Sequence, residues 1–311
     1  MLNFLPLMLD MKDMVDSYTF KYGENSCQHS FVSSFCLNGK YGDMFCESGN
    51  FLFTLRSKLC SDKECVYLFP HGDFEDVDGI KNALQKIFDD AHEKNCRVKF
   101  ETLTERAKNV VEKLFPGKFL VESSRDYGEY VYKIEKLINM RGGEFVKKRN
   151  NIHKFLREYN GRIRCEKIKP EHIFEIKKFQ DKWLFEKFFF EQNSAHQELL
   201  KHENEEINIA LENFELLKLF GIVIFIDDKI SAYAVASTLS ENCIDEIIQK
   251  GNMEIKNISI FLLYDFLKEC CEDKNFIYVN REEDLGISGL RRIKEDYQPD
   301  FIINKFIMTE C

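Results

Sequence analysis

Apolar residues recur at a helical spacing in the segment IKNALQKIFDDAHEKN, residues 80–95. The spacing of three and four residues predicts an amphipathic helix that buries one face. That face consists of Ile80, Ala83, Leu84, Ile87, Phe88 and Ala91. A short strand RVKF, a helix LTERAKNVVEKLF with Thr102 or Thr104 as N-cap, and a strand KFLVES come next. This order of helix, strand, helix, strand predicts an α/β unit.

The C-terminal end of the chain has the same order of elements. The apolar segment ISIFLLYDFLKECC, residues 258–271, predicts a buried helix, and FIYVN predicts a buried strand. SGLRRIKEDY then predicts a short helix that stops before Pro299, and DFIINKFIM predicts one last strand. The two copies suggest a tandem duplication of one α/β unit, although two common arrangements could also coincide by chance.

A basic helix lies between the two copies. The segment GEFVKKRNNIHKFLREY, residues 143–159, places apolar residues from Phe145 to Tyr159 on one helical face. Arg149 and His153 fall on the border of that face, so we expect both to be partly buried and to have partners. Two interpretations stay open: a structural arginine paired with a carboxylate of the neighbouring domain, or a site for an anion or acceptor at the domain junction.

A length of 311 residues exceeds what one hydrophobic core usually serves, so we predict two domains. Their expected bounds are residues 1–140 and 161–311, with the basic helix at residues 141–160 as the link. A hydrophobic fraction of 44% supplies two cores, and charges spread along the chain argue against disorder. No apolar run approaches the roughly 20 residues that span a bilayer. We therefore expect a soluble, cytoplasmic protein.

Eleven cysteines, an odd number in a chain of this length, predict reduced thiols rather than a disulfide framework. No pair has the CxxC spacing typical of structural zinc sites. Cys27 with His29 is the nearest approach to a ligand pair. We therefore predict no bound metal.

The net charge of −9 means that the surface as a whole does not attract polyanions. One segment differs from the rest: KKRNNIHKFLREYNGRIRCEKIK, residues 147–169, carries nine lysines and arginines against Glu158 and Glu166. This local excess of positive charge predicts a contact between the segment and tRNA or another polyanion.

Two glycines and many charges follow the predicted strand FIYVN, in NREEDLGISGLRRIKEDYQPD, residues 280–300. Residues 280–284 are expected to form an exposed turn at the carboxyl end of the strand, where α/β sheets usually present groups that contact ligands. Ser288 is expected to cap the following helix. Leu290, Ile293 and Tyr297 are expected on its inner face.

The charges of this segment have two interpretations. In the structural one, an ion-pair network fixes the turn, and its members are Arg281, Glu282, Glu283, Asp284, Arg291 and Lys294. In the functional one, Arg281, Arg291 and Lys294 face an anionic donor or acceptor. Glu282 or Asp284 is then the base that takes a proton from the attacking amine or hydroxyl.

Two strings together carry a resemblance to a known family. YVYKIEKLINMRGGEFVKKRNNIHKF, residues 130–155, and FIYVNREEDLGISGLRRIKEDYQPDFII, residues 276–303, resemble the C-terminal domain of phosphatidylglycerol lysyltransferases. SFVSSFCLNGKY, residues 30–41, and YLFPHGD, residues 67–73, are weaker echoes of the N-terminal half of that domain. The resemblance covers nearly the whole chain.

The resemblance implies an α/β fold of two tandem GNAT-like domains, related to the Fem peptidyltransferases. It also implies transfer of an aminoacyl group from charged tRNA to a lipid or other acceptor, without a cofactor. In enzymes of this fold a tyrosine on the last helix often protonates the leaving group, and Tyr297 is the tyrosine that matches. The residues expected to contact donor or acceptor are Lys148, Arg149, Asn150 and His153 in the basic helix, and Asn280, Arg281, Arg291 and Lys294 in the charged segment.

The fold allows one physical test of the donor. Enzymes of this fold that use coenzyme A bind its pyrophosphate on backbone N–H groups of a glycine-rich turn before the central helix. The matching turn, QKGNMEIKNIS, residues 249–259, has Gly251 as its one glycine, and Glu254 would repel a phosphate. Coenzyme A is therefore disfavoured. Two alternatives stay open: a binding module without catalysis, and a coenzyme A-dependent N-acyltransferase with an atypical donor site.

Overall fold

Helices and strands alternate along the chain, which a computed structural model describes for residues 2–272 and 276–311. The strands in chain order are β1 (Leu5–Pro6), β2 (Asp43–Ser48), β3 (Phe51–Arg56), β4 (Glu64–Tyr67), β5 (Arg97–Leu103), β6 (Phe119–Ser123), β7 (Glu129–Lys133), β8 (Ile163–Lys167), β9 (Phe220–Ile226), β10 (Lys229–Ser240), β11 (Cys243–Gly251), β12 (Tyr278–Asn280), β13 (Phe301–Ile303) and β14 (Phe306–Glu310). The α-helices are α1 (Lys12–Tyr22), α2 (Phe31–Cys36), α3 (Asn38–Tyr41), α4 (Val77–Glu93), α5 (Glu105–Leu114), α6 (Ile134–Asn139), α7 (Val146–Glu158), α8 (Pro170–Phe190), α9 (Ser194–Glu212), α10 (Ile258–Glu272) and α11 (Ser288–Glu295).

Helix α4 confirms the prediction made from its apolar spacing, because all six predicted positions are buried. Its first turn is stabilised by Asp76, whose carboxylate accepts a hydrogen bond from the Gly79 N–H at 2.8 Å. Helix α5 is capped by Thr104, whose hydroxyl oxygen accepts from the Ala107 N–H at 3.2 Å. Thr102 instead lies within β5.

Two compact units, each made of discontinuous segments, divide the chain. Unit 1 comprises Met1–Val131, Glu282–Asp296 and Phe301–Cys311, and unit 2 comprises Tyr132–Arg281 and Tyr297–Asp300. The chain therefore passes from one unit to the other several times near its C-terminus. The consecutive boundaries expected from the sequence, at residues 140 and 160, stay a prediction.

The sheet of unit 1 has the strand order β1-β2-β3-β4-β5-β14-β6. β4 and β5 run parallel, whereas the other paired strands run antiparallel. Phe53, Tyr67 and Phe100 lie in a core that includes the buried face of α4. The Tyr67 hydroxyl donates to the buried Asp90 carboxylate at 2.7 Å, so the polar end of this core tyrosine keeps a partner.

In unit 2 the strand order is β12-β11-β10-β9-β8, with β11 and β12 parallel. α10 packs on β9, β10 and β11, and the ring of Phe261 in α10 lies 4.7 Å from the ring of Phe155 in α7. The long helices α8 and α9 pack against each other. Within the two described ranges, every helix falls short of the length or apolar character that crossing a membrane requires.

The prediction of one last strand, DFIINKFIM, is wrong. The segment forms β13 and β14, which lie in different sheets: β13 pairs with β7, and β14 pairs between β5 and β6. The break falls at Asn304 and Lys305, where the buried Lys305 ammonium lies 2.6 Å from the buried Glu129 carboxylate. A buried charge requires such a partner, and Glu129 supplies it at the break.

Replacing Met308 by alanine tests whether β14 completes the core of unit 1. Met308 is fully buried in that core, so Met308→Ala is expected to lower the free energy of unfolding by about 2–5 kcal/mol. Met253→Ala makes the same change at a side chain that is 43% exposed and is expected to cost less than about 0.5 kcal/mol. Urea denaturation followed by circular dichroism measures both, and equal losses would contradict the placement of β14.

Candidate functional site

The Asp284 carboxylate is the centre of a hydrogen-bonded cluster in unit 1. Arg291 donates two hydrogen bonds to this carboxylate, from Nε to Oδ2 at 2.8 Å and from Nη2 to Oδ1 at 2.7 Å. The Tyr130 hydroxyl donates to Oδ2 at 2.6 Å, and the Gly286 N–H donates to Oδ1 at 2.9 Å. The prediction that residues 280–284 form an exposed turn is wrong at its ends, because Asn280 and Asp284 are fully buried. Residues 280–281 belong to unit 2 and residues 282–284 to unit 1.

The partners of Asp284 keep it ionised. Burial by itself would raise its pKa, but the hydrogen bonds from Arg291 and Tyr130 outweigh burial and lower the pKa of Asp284 to about 2. A carboxylate with so low a pKa is a weak proton acceptor near neutral pH. The catalytic role for Asp284 stays a prediction, and its contacts are those of the structural alternative.

A second layer of charges surrounds this cluster. Arg291 also lies 2.6 Å from the Asp126 carboxylate, and Arg125 donates to the Tyr130 hydroxyl at 2.8 Å. Gly286 has a φ of +74°, and a Cβ there would come within 3.0 Å of Asp126. Glycine is therefore favoured at this turn by its backbone conformation, and any side chain there would crowd the Asp126 carboxylate.

The helix α11 differs in detail from its prediction. Ser288 is its first residue rather than its cap, and the cap position is Ile287. Lys294 is buried and donates to the Glu283 carbonyl, whereas Ile293, expected on the inner face, is exposed. The ammonium of Lys294 lies 5.6 Å from the Tyr130 ring, so a cation–π contact offsets part of its burial.

A buried ion pair that the sequence did not indicate lies elsewhere in unit 1. Glu129 accepts from the Ser26 hydroxyl at 2.9 Å and from the Cys27 N–H at 3.1 Å, besides its pair with Lys305. Burial and the nearby Glu129 raise the pKa of Glu283. Cys27, Glu129 and Glu283 have ligand atoms within 4.8 Å of one another, but the Lys305 ammonium supplies the positive charge for Glu129. The expected absence of a metal stays a prediction.

Unit 2 brings three of the predicted site residues together, with Lys148 and Arg281 beside the ring of Tyr297. The Lys148 ammonium lies 4.6 Å from the centre of the Tyr297 ring, and the Arg281 guanidinium lies 5.2 Å from it. Tyr297 is buried. We call Lys148, Arg281 and Tyr297 the tyrosine cluster.

Arg281 is oriented by polar residues of β11 that sequence reasoning missed. Its guanidinium donates to the Glu246 carboxylate and to the Gln249 side-chain carbonyl. Glu246 is buried, and its Oε1 atom accepts no hydrogen bond from the residues that the structure describes. The signal that could have found Glu246 is a pair of acids inside the otherwise apolar strand CIDEII.

The other predicted residues of α7 have different surroundings. Arg149 donates to the carbonyls of Met140 and Gly142, which follow the end of α6, so it satisfies backbone acceptors. Asn150 is exposed, and so is His153, contrary to the expectation of partial burial. His153 lines an open depression together with Leu156, Arg157 and Asn160.

The positive charge of segment 147–169 is not uniformly available. Arg162 is paired with Asp227, and Arg164 is paired with Glu166. By contrast, no carboxylate among the described side chains, those of residues 2–269 and 276–311, lies within ion-pair distance of Lys147, Lys154 or Arg157. These three side chains are exposed on α7, so they form the part of the segment that can meet phosphates.

The turn between β11 and α10 uses much of its own backbone for internal hydrogen bonds. The Asn252 N–H donates to the Ser231 carbonyl at 2.8 Å, and the Ile255 N–H donates to the Asn252 carbonyl at 3.1 Å. The Glu254 N–H donates to the Asn252 side chain at 2.9 Å. These three backbone N–H groups, of the kind that bind phosphates before a helix, are therefore already occupied.

Known proteins share this fold. A family model described as "Phosphatidylglycerol lysyltransferase, C-terminal" matches residues 20–309. A conserved protein of unknown function from Bacteroides thetaiotaomicron is 25% identical, with a TM-score of 0.90 over 100% of both chains. L-PGS from Bacillus licheniformis is 15% identical, with a TM-score of 0.64 over 96% of this chain and 91% of its own. FemX is 8% identical, with a TM-score of 0.67 over 98% of this chain and 97% of its own. The predicted tandem GNAT-like fold is confirmed.

Changing Asp284 to asparagine tests the central carboxylate of unit 1. At pH 7 Asp284→Asn is expected to cost about 3 kcal/mol, because it breaks a buried pair with Arg291. Since the folded pKa of about 2 lies below the ordinary value, roughly 2 kcal/mol of this loss is present above about pH 4. This pH-dependent part of the loss disappears as the pH falls towards 2, because Asp284 then becomes protonated in the folded protein as well.

Asp126→Asn is the matched control for this measurement. It removes a half-exposed partner of the same arginine and is expected to cost less than about 1 kcal/mol. Urea denaturation at pH 7 and at pH 3 measures all three proteins. A cost for Asp284→Asn that is small, or that does not fall with pH, would contradict the ionised cluster.

Proposed function

This chain belongs to the family of phosphatidylglycerol lysyltransferase C-terminal domains, and from that premise we propose that it transfers an aminoacyl group from charged tRNA to a lipid hydroxyl. In this reaction the acceptor oxygen attacks the ester carbonyl carbon of the donor. The bond from that carbon to the tRNA ribose oxygen breaks, and the proton of the acceptor ends on the ribose oxygen. The ester is already activated, so positioning supplies much of the rate.

The observation that carries the proposal is the tyrosine cluster in unit 2. Lys148 and Arg281 lie beside the ring of the buried Tyr297, and we assign to Tyr297 the delivery of a proton to the leaving ribose oxygen. Tyr297 regains a proton from the attacking hydroxyl, which leaves no net change on the enzyme. The same cations, Lys148 and Arg281, are suited to stabilise the oxyanion that develops during the attack.

Glu246 extends this assignment to the donor. We assign it the α-ammonium of the aminoacyl group, because it is a buried carboxylate beside Arg281 and keeps an oxygen that accepts no hydrogen bond from the described residues. Charge-assisted hydrogen bonds of this kind are the stronger ones in proteins. Glu282 stays the predicted alternative base for the acceptor hydroxyl.

Two features support tRNA rather than coenzyme A as the donor. In the turn before α10, the N–H groups of Asn252, Glu254 and Ile255 already donate hydrogen bonds within the protein. The side chain of Glu254 also adds a negative charge to this turn. Helix α7 in turn exposes Lys147, Lys154 and Arg157 without acidic partners in the described part of the chain. A polyanion of many phosphates gains more from such a surface than a single nucleotide does.

Reversing the exposed charges of α7 tests the donor. Lys147→Glu/Lys154→Glu/Arg157→Glu is expected to weaken binding of aminoacylated tRNA by at least about tenfold at low salt, and to flatten its dependence on salt. The control, Lys63→Glu/Lys81→Glu/Lys113→Glu, makes the same change in net charge at exposed lysines of unit 1. Filter binding at two salt concentrations measures the three proteins. Equal weakening by both variants would exclude α7 as a specific tRNA surface.

Removing one hydroxyl tests the proton donor. Tyr297→Phe is expected to slow single-turnover aminoacyl transfer by about 10²- to 10⁴-fold while tRNA binding is unchanged, because only the proton transfer is lost. Tyr127→Phe removes a hydroxyl from a tyrosine of unit 1 that is half exposed and should leave the rate unaltered. An unchanged rate in Tyr297→Phe would remove Tyr297 from the mechanism.

A further inference from the structure

We propose that the turn end of the α8–α9 hairpin docks this chain onto an anionic lipid bilayer. The inference rests on the proposed function, since an enzyme that modifies a lipid has to reach the bilayer surface. The helices of the described residues do not cross a membrane. An exposed apolar surface is one feature that can make such contact.

Helix α8 carries such a surface at its C-terminal end. Phe185, Phe189 and Phe190 are 73%, 76% and 75% exposed, and we call these three residues the phenylalanine tip. Phe174, earlier on the same helix, is 67% exposed, and Leu199 of α9 is also exposed. Clustered apolar side chains of this size are uncommon on a protein surface and mark sites of contact.

The charges around the phenylalanine tip suit an anionic surface. Lys187, which lies between Phe185 and Phe189 in the sequence, is exposed, and no carboxylate among the described side chains lies within ion-pair distance of it. Lys178 and Lys182 are exposed as well, and each is paired with a glutamate, Glu175 at 2.9 Å and Glu186 at 3.5 Å. The nearby acids Glu186 and Glu191 are more buried and are paired, with Lys182 and His196 respectively. Aromatic side chains flanked by lysines are typical of helices that bind the membrane interface.

The size of the surface favours a bilayer over a protein partner. Three phenylalanines supply on the order of 600 Å² of contact area, below the ~800 Å² that each partner usually contributes to a stable protein complex. Insertion into the boundary between headgroups and acyl chains requires no such complementary area. A second copy of the chain is therefore the less suitable occupant.

Vesicle sedimentation tests the docking surface with the full chain. The proteins are the wild type, the variant Phe185→Ser/Phe189→Ser/Phe190→Ser, and the control Leu216→Ser, which changes an exposed residue of the same unit outside the tip. With vesicles of equal phosphatidylglycerol and phosphatidylcholine, the triple variant is expected to bind at least about tenfold more weakly than the other two. Pure phosphatidylcholine vesicles should bind the wild type less than the mixed ones.

Several results would overturn the proposal. One is equal vesicle binding by the wild type and the triple variant. Another is equal binding of the wild type to both kinds of vesicle. A third is that the triple variant loses self-association, measured by light scattering, but keeps its vesicle binding. Circular dichroism confirms that the triple variant is folded.

Transfer to short-chain phosphatidylglycerol in detergent micelles separates this proposal from the proposed function. Docking is not needed there, so the triple variant should be as active as the wild type. Vesicle binding without any transfer by the wild type would refute the proposed function and leave the docking surface standing. Transfer by the wild type, with vesicle binding that does not depend on the tip, would refute the docking surface alone.

Discussion

The C-terminal part of the structure depends on the hydrogen bonds that Arg291 and Tyr130 donate to the buried Asp284 carboxylate. A carboxylate without exposure to water is costly unless its oxygens are satisfied, and the two-pronged bond from an arginine is the geometry that does so best. This pair holds the segment Glu282–Asp296 within unit 1. The residues on either side of the segment, Arg281 and Tyr297, belong to unit 2 and lie together there. The pair of Asp284 and Arg291 thus fixes the middle of the segment, and the contact between Arg281 and Tyr297 brings its two flanking residues together.

This arrangement separates two kinds of charge that the sequence places side by side. Asp284 and Arg291 satisfy each other and have little capacity left for a substrate. Arg281, only three residues before Asp284, is directed instead towards Glu246 and the Tyr297 ring. The contacts of Asp284 and Arg291 are therefore those of the structural interpretation, and the functional interpretation stays a prediction for Arg281. The same division holds in α7, where Arg149 binds backbone carbonyls and Lys148 lies against the Tyr297 ring.

Local pattern predicted those features whose causes are local. The apolar spacing of α4 and the cap of α5 depend on neighbours within a few residues, and both predictions are confirmed. The burial of Asp284 depends on Tyr130, 154 residues earlier in the chain, so a charged turn was expected to be exposed. The division of DFIINKFIM into two strands likewise involves distant partners, because β13 pairs with β7 and β14 pairs with β5 and β6. The hydrophobic pattern of the strand CIDEII indicates only that the strand is buried, so it does not identify Glu246 as a residue of the site.

The most direct measurement of the central claim is the transfer itself. Total tRNA charged with labelled amino acids is incubated with the full chain and detergent-dispersed phosphatidylglycerol, and the label is followed into the organic phase. A parallel reaction contains labelled acetyl-CoA in place of charged tRNA. We predict label in the lipid from tRNA and none from acetyl-CoA. Label that enters the organic phase no faster than it does without protein, or transfer from acetyl-CoA alone, would contradict this prediction.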